Sequence, residues 1–439
     1  MWLVALQDRQ VLRPPQQLLS GKPVSVPETD NAGCIIGRLS KVEPHGEVTY
    51  ANQISRIFQK HCVDCHRAGE IGPFPMTTYD EVLGWGEMIQ EVVEERRMPP
   101  WYANPEHGQF KNERRLSAEE RQLVLQWVAN GQPFGKESDL PEQPVFTSGW
   151  QIPAPDVVLY ASETPFLIPA QGIVRLIYCT VDTGFTEDKW ITAAQVRPGN
   201  RAVVHHIICS VVPPNEMGPG AVFPRQGNFV GYAPGQMARI YPKDQAYLIP
   251  AGSKITFQIH YTPIGIATED RSCIGLVFGK QEDVKFVSKG GVCGTEDFKI
   301  PAGATDHVIK GKRRIHSDVY ITGMIPHAHV RCKSFRYEVD FPDGTNEVLL
   351  DVPHYDFNWQ LYYELATPKL LPKGAVLRTT AHYDNSSDNA YNPDPTIDVV
   401  FGEQTWDEMM YGWYLTVVPR AEIDANKLPP PPPPVKLSE

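Results

Sequence analysis

The sequence has no long apolar run and no excess of basic residues. None of its hydrophobic segments approaches the roughly 20 residues that a membrane-spanning helix requires. The 41 lysines and arginines are outnumbered by 52 aspartates and glutamates, which gives a formal charge of -11. A surface that binds nucleic acid needs the opposite balance of charge. The sequence therefore predicts neither a membrane span nor a nucleic-acid partner.

The start of the chain also lacks the pattern of an export signal. The opening MWLVAL is shorter than the apolar stretch of a signal peptide and has no basic flank. Residues 21–38 resemble the connector that follows a thioredoxin-like domain in some multidomain bacterial redox proteins. We therefore expect residues 1–46 to be a linker or the remnant of an upstream domain.

Helical patterns are scarce, and the clear ones lie within residues 47–137. Thr78 with Glu81, and Ser117 with Glu120, have the spacing of capping boxes, and apolar residues recur at helical intervals after each pair. The sequence therefore predicts one small α-helical domain over this range.

The rest of the chain is predicted to be mainly β. Short alternating apolar runs separated by Pro, Gly, Asn and Asp begin near residue 150 and are typical of antiparallel strands. A chain of 439 residues is long enough for roughly three domains. We expect two antiparallel β-sandwich, jelly-roll-like domains over 150–295 and 296–425, followed by a proline-rich tail over 426–439 that contains six consecutive prolines.

The helical region contains a haem-attachment motif, HCVDCH. Cys62, Cys65 and His66 have the C-x-x-C-H spacing, in which two thiols bind one haem covalently and the histidine is delivered to the iron. Half of a zinc site and a redox C-x-x-C are the alternatives, but a zinc site would need a second Cys or His pair, and none follows before residue 205.

A methionine is the expected second axial ligand of this haem. In RRMPPW, Met98 follows a helical pattern and precedes two prolines that prevent its continuation, as suits a loop side chain. Met76 and Met88 are its rivals. Residues 47–135 resemble the small cytochrome c-like domains of many bacterial periplasmic proteins. Because haem is attached covalently outside the cytoplasm, the motif implies a periplasmic or extracytoplasmic protein.

Five histidines on predicted strands are further candidate metal ligands. His327 and His329 are two residues apart and therefore share one face of a strand, where they can chelate one ion. His260 lies opposite the apolar face of SKITFQIHYT. His205 and His206 are adjacent, so they can bind one metal together only if a bulge turns both to the same side. Each pattern alone is weak evidence of a metal.

Taken in order, these motifs resemble those of a known family. The succession HH, H-Y, H-x-H and D-E-M across residues 150–420 is similar to that of the copper type II, ascorbate-dependent monooxygenases, such as peptidylglycine alpha-hydroxylating monooxygenase and dopamine beta-monooxygenase. The resemblance implies an electron-transfer copper at His205, His206 and His260. It implies an oxygen-binding, catalytic copper at His327, His329 and Met409. Physical reasoning alone leaves Met410 equally possible, whereas the D-E-M motif favours Met409.

The resemblance also implies partners. They are O2, a small organic or peptide substrate that is hydroxylated at a C–H bond, and an external reductant or electron-donor protein. Electrons would be relayed by the covalently bound haem c. The rival hypotheses are a copper and haem electron-transfer or copper-binding protein without oxygenase activity, and a structural module with vestigial histidines.

Six cysteines remain outside the haem motif, an even set that is compatible with disulfides in fifteen possible pairings. They are Cys34, Cys179, Cys209, Cys273, Cys293 and Cys332. The segment AHYDNSSDNAYNPDP, which contains His382, is expected to be a turn-rich loop, with a role in lining a cleft as the alternative.

Overall fold

The computed structural model describes residues 42–68, 70, 72–144, 146, 149–214, 229–233 and 238–420. The proline-rich tail, Cys34 and nearly all of the expected N-terminal linker lie outside these residues, and those expectations stay predictions.

Four α-helices form the helical unit near the start of the described chain. The first continues from a π-helical turn over Tyr50–Ile54, and a short 3-10 helix over Glu137–Asp139 ends the unit. The helices are α1 Ser55–His61, α2 Tyr79–Leu83, α3 Gly86–Glu94 and α4 Ala118–Ala129.

Both predicted capping boxes are present, at Thr78 with Glu81 and at Ser117 with Glu120. The run after Thr78 is interrupted after Gly84, so it gives two short helices in place of one. Apolar side chains from all four helices, including Phe58, Val82, Ile89 and Trp127, pack into one core.

The described part of the chain is mainly β, as predicted. The first eleven strands are β1 Val157–Tyr160, β2 Phe166–Ile168, β3 Ile177–Asp182, β4 Lys189–Arg197, β5 Val204–Val212, β6 Val230–Tyr232, β7 Arg239–Ile240, β8 Gln245–Ile249, β9 Lys254–Tyr261, β10 Thr268–Asp270 and β11 Cys273–Gly279. A 3-10 helix over Gln281–Asp283 follows. The other strands are β12 Phe286–Gly294, β13 Lys299–Ile300, β14 His307–Arg314, β15 Val319–His327, β16 Cys332–Asp340, β17 Asn346–Val352, β18 Tyr363–Leu371, β19 Val376–Tyr383, β20 Val399–Val400 and β21 Tyr411–Pro419.

One long sheet runs through both halves of this region. Its order is β1-β11-β4-β8-β12-β21-β15-β18, with β7 paired to β4. A four-stranded sheet, β3-β9-β5-β6, accompanies the first half, and another, β14-β19-β16-β17, accompanies the second. Two short pairs, β2 with β10 and β13 with β20, complete the strands.

Each half of the long sheet packs against its own four-stranded sheet. The first core joins residues of β4 and β11 to residues of β5 and β9, and we call strands β1–β11 the first β unit. The second core joins β12, β15 and β21 to β16 and β19, and strands β12–β21 form the second β unit. The two units are therefore two-layered, each around its own apolar core.

The junction between the units lies earlier than the boundary predicted at residue 296. β12 ends just before that boundary, yet it pairs with β21 over its whole length, and its Cys293 is buried in the second core. β12 also pairs with β8 in parallel, and this pairing makes the long sheet continuous. An alternating apolar pattern predicts a strand without indicating its partner, so the sequence could not assign β12.

The helical unit is anchored in the second β unit. Trp101, Ala103 and Phe110, between α3 and α4, are buried in the second core, and Trp101 and Phe110 lie with their ring centroids 4.9 and 5.6 Å from that of Tyr363. The side chain of Asn112 donates a hydrogen bond to the backbone oxygen of Tyr362 at 2.6 Å. The predicted separate helical domain therefore shares a core with the β region. None of the described helices has the length and hydropathy to cross a membrane.

Candidate metal and haem centres

A β-bulge brings the adjacent histidines together. The pairing of β5 with β9 joins Val204 to Tyr261 and His206 to His260, and the register shifts between Val204 and His206. His205 is therefore the extra residue of a bulge, which lets both neighbouring side chains turn to the same side. The bulge that His205 and His206 need in order to bind one metal together is therefore present.

His205, His206 and His260 form what we call the first histidine group. One nitrogen from each imidazole lies within 4.8 Å of the other two, and the Nδ1 atoms of His205 and His206 are 3.1 Å apart. Among the described residues, this is the one set of three or more His, Cys or carboxylate side chains that converges in this way. Its imidazoles can all reach one ion.

Burial keeps these imidazoles neutral. It lowers the pKa of His205 to about 3 and that of His260 to about 4, and it lowers the pKa of His206 as well. The positive charge that His260 would carry adds to the effect at His205 and His206. Neutral imidazole is the form that binds a metal, so the group is ready to bind one at neutral pH.

His327 and His329 have the orientation expected of metal ligands. At the end of β15, His327 donates from Nδ1 to Oε1 of Gln360 at 2.8 Å. His329 donates from Nδ1 to the backbone oxygen of Asp407 at 3.3 Å. With Nδ1 held in this way, the Nε2 of each ring is left with the lone pair. Burial lowers the pKa of His327 to about 4 and that of His329 to about 3.

Met409 lies beside His329 because both residues bond to one carboxylate. Oε2 of the buried Glu408 accepts the backbone N–H of His329 at 2.8 Å and that of Met409 at 3.2 Å. Oε1 accepts the backbone N–H of Arg331 at 2.8 Å. Burial nevertheless raises the pKa of Glu408 to about 8, against the effect of these hydrogen bonds. These bonds hold the backbones of His329 and Met409 close together, and we call His327, His329 and Met409 the second candidate group.

The packing distinguishes Met409 from Met410. Met410 is fully buried in the second core, where Thr379 donates a hydrogen bond to its sulfur at 3.9 Å. Met409 is also buried but is not part of that core. Because neighbours on an extended chain point to opposite sides, Met410 takes the core side and Met409 takes the other.

Phe357 lies between the two groups. Its ring stacks on His205 at a centroid distance of 5.6 Å and meets His329 edge to face at 5.8 Å. The groups are near enough for charge on His327 to lower the pKa of His205. The sequence predicted the histidines but not Phe357, Gln360 or Glu408. Glu408 is part of the D-E-M motif that contains Met409, so the sequence could have pointed to it. Phe357 and Gln360 lie in a segment without a motif.

The haem-attachment residues lie on one turn after α1. The backbone N–H groups of Cys65 and His66 donate to the oxygen of Cys62 at 3.1 and 2.9 Å. His66 donates from Nδ1 to the backbone oxygen of Phe74 at 3.0 Å, which leaves Nε2 available for iron. A Cβ on Gly72 would lie 2.8 Å from the His66 ring, so the segment closes tightly over this histidine.

Two observations bear on the zinc and redox alternatives for these residues. Cys62, Cys65 and His66 do not converge as the first histidine group does within the described chain, although a zinc ion would require it. Burial, and to a smaller degree the charge of a Cys65 thiolate, raise the pKa of Cys62 to about 12. Redox-active cysteines have the opposite shift.

The three candidate methionines lie in different surroundings. Met76 is buried in the helical core, and Met88 is half-buried on α3. Met98 follows α3 and lines a cavity of about 1270 Å³ between the helical unit and the second β unit. Cys62, Cys65 and His66 are not among the described residues that line this cavity. Met98 as axial ligand therefore stays a prediction.

No disulfide is formed among the seven described cysteines, so the expected framework is not found in this part of the chain. Cys179 and Cys209 both pair with Phe257, on opposite sides of β9. They are thus about 10 Å apart, beyond the reach of a disulfide. His382 lies at the surface on β19, where its Nδ1 is 3.0 Å from the carboxylate of Asp306.

Comparisons with known proteins do not assign the chain to a family. No protein-family model and no curated protein matches it. The similar solved structures include the major capsid protein P2 of bacteriophage PM2, with 10% identity, 60% of this chain and 98% of that chain covered, and a TM-score of 0.26. They also include the infectious bursal disease virus VP2 subviral particle, with 9% identity, 61% and 76% covered, and a TM-score of 0.21. Likenesses at this level carry no functional meaning.

Proposed function

We propose that this protein is a copper-dependent monooxygenase that uses O2 and a reductant to hydroxylate a C–H bond of an organic substrate. One observation carries the proposal: five imidazoles from distant positions converge into two neighbouring groups, with Met409 beside the second. In this proposal the helical unit is a cytochrome c-like domain and the β units are two jelly-roll-like sandwiches.

The residues of each group fit copper. Imidazole binds both oxidation states of copper, while the soft thioether of Met409 favours the reduced ion. Copper held in this way supplies activation of O2 and electron transfer. Gln360 and the backbone of Asp407 orient the imidazoles of His327 and His329, both of which are buried. In the first histidine group His206 is buried, whereas His205 and His260 are partly exposed.

Haem bound at Cys62, Cys65 and His66 would supply electrons, and one ion pair joins the segment after these residues to the segment before the first histidine group. Glu70 forms an ion pair with Arg201, four residues before His205. The cation of Arg201 also lies over the ring of Tyr232, 5.9 Å from its centroid. Covalent haem attachment makes the proposed location periplasmic or extracytoplasmic.

Metal and haem quantification tests the proposal. The purified protein should contain two coppers and one covalently bound haem, and it should consume O2 when a reductant and a substrate are supplied. His260→Ala and His327→Ala should each lower the copper content from two to one. His382→Ala, at a surface histidine outside both groups, is the control and should retain two. Equal copper in all three variants would contradict the assignment.

A second candidate is a copper and haem electron-transfer protein without oxygenase activity. The ring of Phe357 favours it, because that ring occupies the space between the two groups. Stopped-flow mixing of haem-reduced protein with oxidised copper sites should show haem reoxidation under either function. Stimulation of oxygen uptake by an organic substrate supports the monooxygenase alone.

A further inference from the structure

The cavity of about 1270 Å³ is large enough for an organic molecule of considerable size. One wall comes from the helical unit, through Val93, Met98, Tyr102 and the start of α4. The opposite wall comes from the second β unit, through residues 330–333, residues 353–358, Asp384 and residues 388–391. Because the helical unit is anchored in the second core, both walls are held in place.

The cavity ends one side chain away from the histidines. Phe357 lines it and also makes the ring contacts with His205 and His329. The segment that carries Phe357 is held by Tyr355, two residues before it. Tyr355 donates from its backbone to the oxygen of Lys333 at 2.8 Å, and its hydroxyl bonds to both backbone groups of Ala328, between His327 and His329.

The charges around the cavity favour an anionic ligand. Its lining has six basic and four acidic side chains, in a chain whose net charge is -11. The acids are Glu95, Asp356, Asp384 and Asp388. The first of these pairs with Arg97, and the next two accept hydrogen bonds from their own loops. Only the side chain of Asp388 has no such partner among the described residues.

Three of the six basic side chains form ion pairs: Arg97 with Glu91 and Glu95, Arg115 with Glu113, and Lys333 with Asp306. The other three are Arg96, Arg121 and Arg331, and none of them forms a side-chain ion pair within the described chain. Arg331 is 1% exposed, and its Nη2 has no hydrogen-bond partner among the described residues. Its other nitrogens donate to Asn385 and Trp406, which are uncharged acceptors. A buried donor without a partner is unfavourable, and an acceptor on a ligand would remove that cost.

We propose that this cavity binds an organic anion with an aromatic or aliphatic body, and that Phe357 separates the bound molecule from both histidine groups. Arg331 and Arg121 bind the anionic end, and Tyr102, Tyr355 and Phe357 contact the apolar body. That the ligand is the substrate depends on the proposed monooxygenase function, whereas the binding itself does not. Phe357 is then a specificity-determining residue, because its ring must move before a C–H bond can reach the second group.

Binding can be measured without turnover, by titration calorimetry on the copper- and haem-loaded protein. The probes are naphthalene-1-carboxylate and its uncharged counterpart 1-naphthylmethanol. We expect one molecule of the carboxylate to bind at least about tenfold more tightly than the alcohol, since a charge-assisted hydrogen bond contributes this much. Equal affinity for the two probes would overturn the anionic class.

Substitutions locate the bound probe. Arg121→Gln, on the half-exposed surface of α4, and Arg331→Lys should each weaken carboxylate binding by about tenfold. Lys312→Gln removes the same charge from an exposed strand position outside the cavity and should change nothing. Bound carboxylate should protect the cavity residue His354 from diethyl pyrocarbonate, and His382 should be modified at an unchanged rate. Protection of neither, or of both, would place the probe elsewhere.

Phe357→Ala tests the separation. Opening the cavity onto the imidazoles should speed the loss of copper to an added chelator by about tenfold or more. Tyr391→Ala, at an exposed residue of the cavity lining, is the control and should leave this rate unaltered. An unchanged rate in Phe357→Ala contradicts the separating role. If the carboxylate binds but no organic substrate stimulates oxygen uptake, the function fails and the binding site stands. If an organic substrate stimulates oxygen uptake equally in the native protein and in the cavity variants, the monooxygenase function stands and the binding site fails.

Discussion

Gln360→Leu is the most direct test of the second metal group, because Gln360 touches the proposed ligand His327 without binding the metal itself. Its Oε1 accepts the Nδ1 proton of a buried imidazole at 2.8 Å. Leucine of similar size removes that acceptor and leaves a buried N–H unpaired, which costs about 1–3 kcal/mol of stability. Loss of an outer-shell partner typically lowers metal affinity by about 10–100-fold, or roughly 1.4–2.7 kcal/mol.

The assay separates these two effects. Chelator competition gives the copper affinity of each group, and thermal unfolding gives the stability. Gln195→Leu is the matched control, because Gln195 is equally buried and accepts the backbone N–H of Gln151 at 2.7 Å in the first β unit. It should lose stability to a similar degree and keep both copper affinities. If Gln360→Leu behaves like this control, His327 is not a copper ligand.

Three further predictions concern stability and ligand choice. Trp101→Ala should destabilise the protein by about 3–5 kcal/mol, and the helical unit and second β unit should still unfold in one calorimetric transition; separate transitions would contradict the shared core. Both Met409 and Met410 are buried, so either change to Ala should cost about 2–5 kcal/mol; Met410→Ala should keep the reduced copper of the second group and Met409→Ala should lose it, and the reverse result would exchange their roles. Burial would raise the pKa of Glu120, but hydrogen bonds from Lys60, Ser117 and His61 prevail and lower it to about 2. This folded-state pKa is below the unfolded value of about 4.3, so the stabilisation is present above that pH and is lost as the pH falls toward 2; in Glu120→Gln, thermal unfolding across this range should lose that part of its pH dependence, and an unchanged profile would contradict the assignment.

Local patterns predicted the features that depend on a few neighbouring residues. The two capping boxes formed because a side chain and a backbone N–H three residues apart meet whenever a helix starts there. The mainly β class followed from alternation and turn residues. The interruption of the helix after Gly84 and the pairing of β12 with β21 could not be predicted in this way. Both depend on contacts with distant segments.

In the candidate sites, too, some residues were predictable from local spacing and others only from strand pairing. His327 and His329 were a credible pair from the two-residue period of a strand, and Cys62, Cys65 and His66 from their spacing alone. No spacing connects His260 with His205 and His206; cross-strand pairing does, and a bulge that appears only in the register of β5 against β9 completes the group.

The sequence by itself determined which side chains could bind metal or haem, because donor chemistry and short-range geometry are properties of neighbouring residues. Only the tertiary structure decided that the two histidine groups are neighbours, that Phe357 lies between them, and that a cavity from the helical unit ends on that ring. Those relations join segments 100 or more residues apart in several cases, and side-chain packing, which no local pattern encodes, sets their distances.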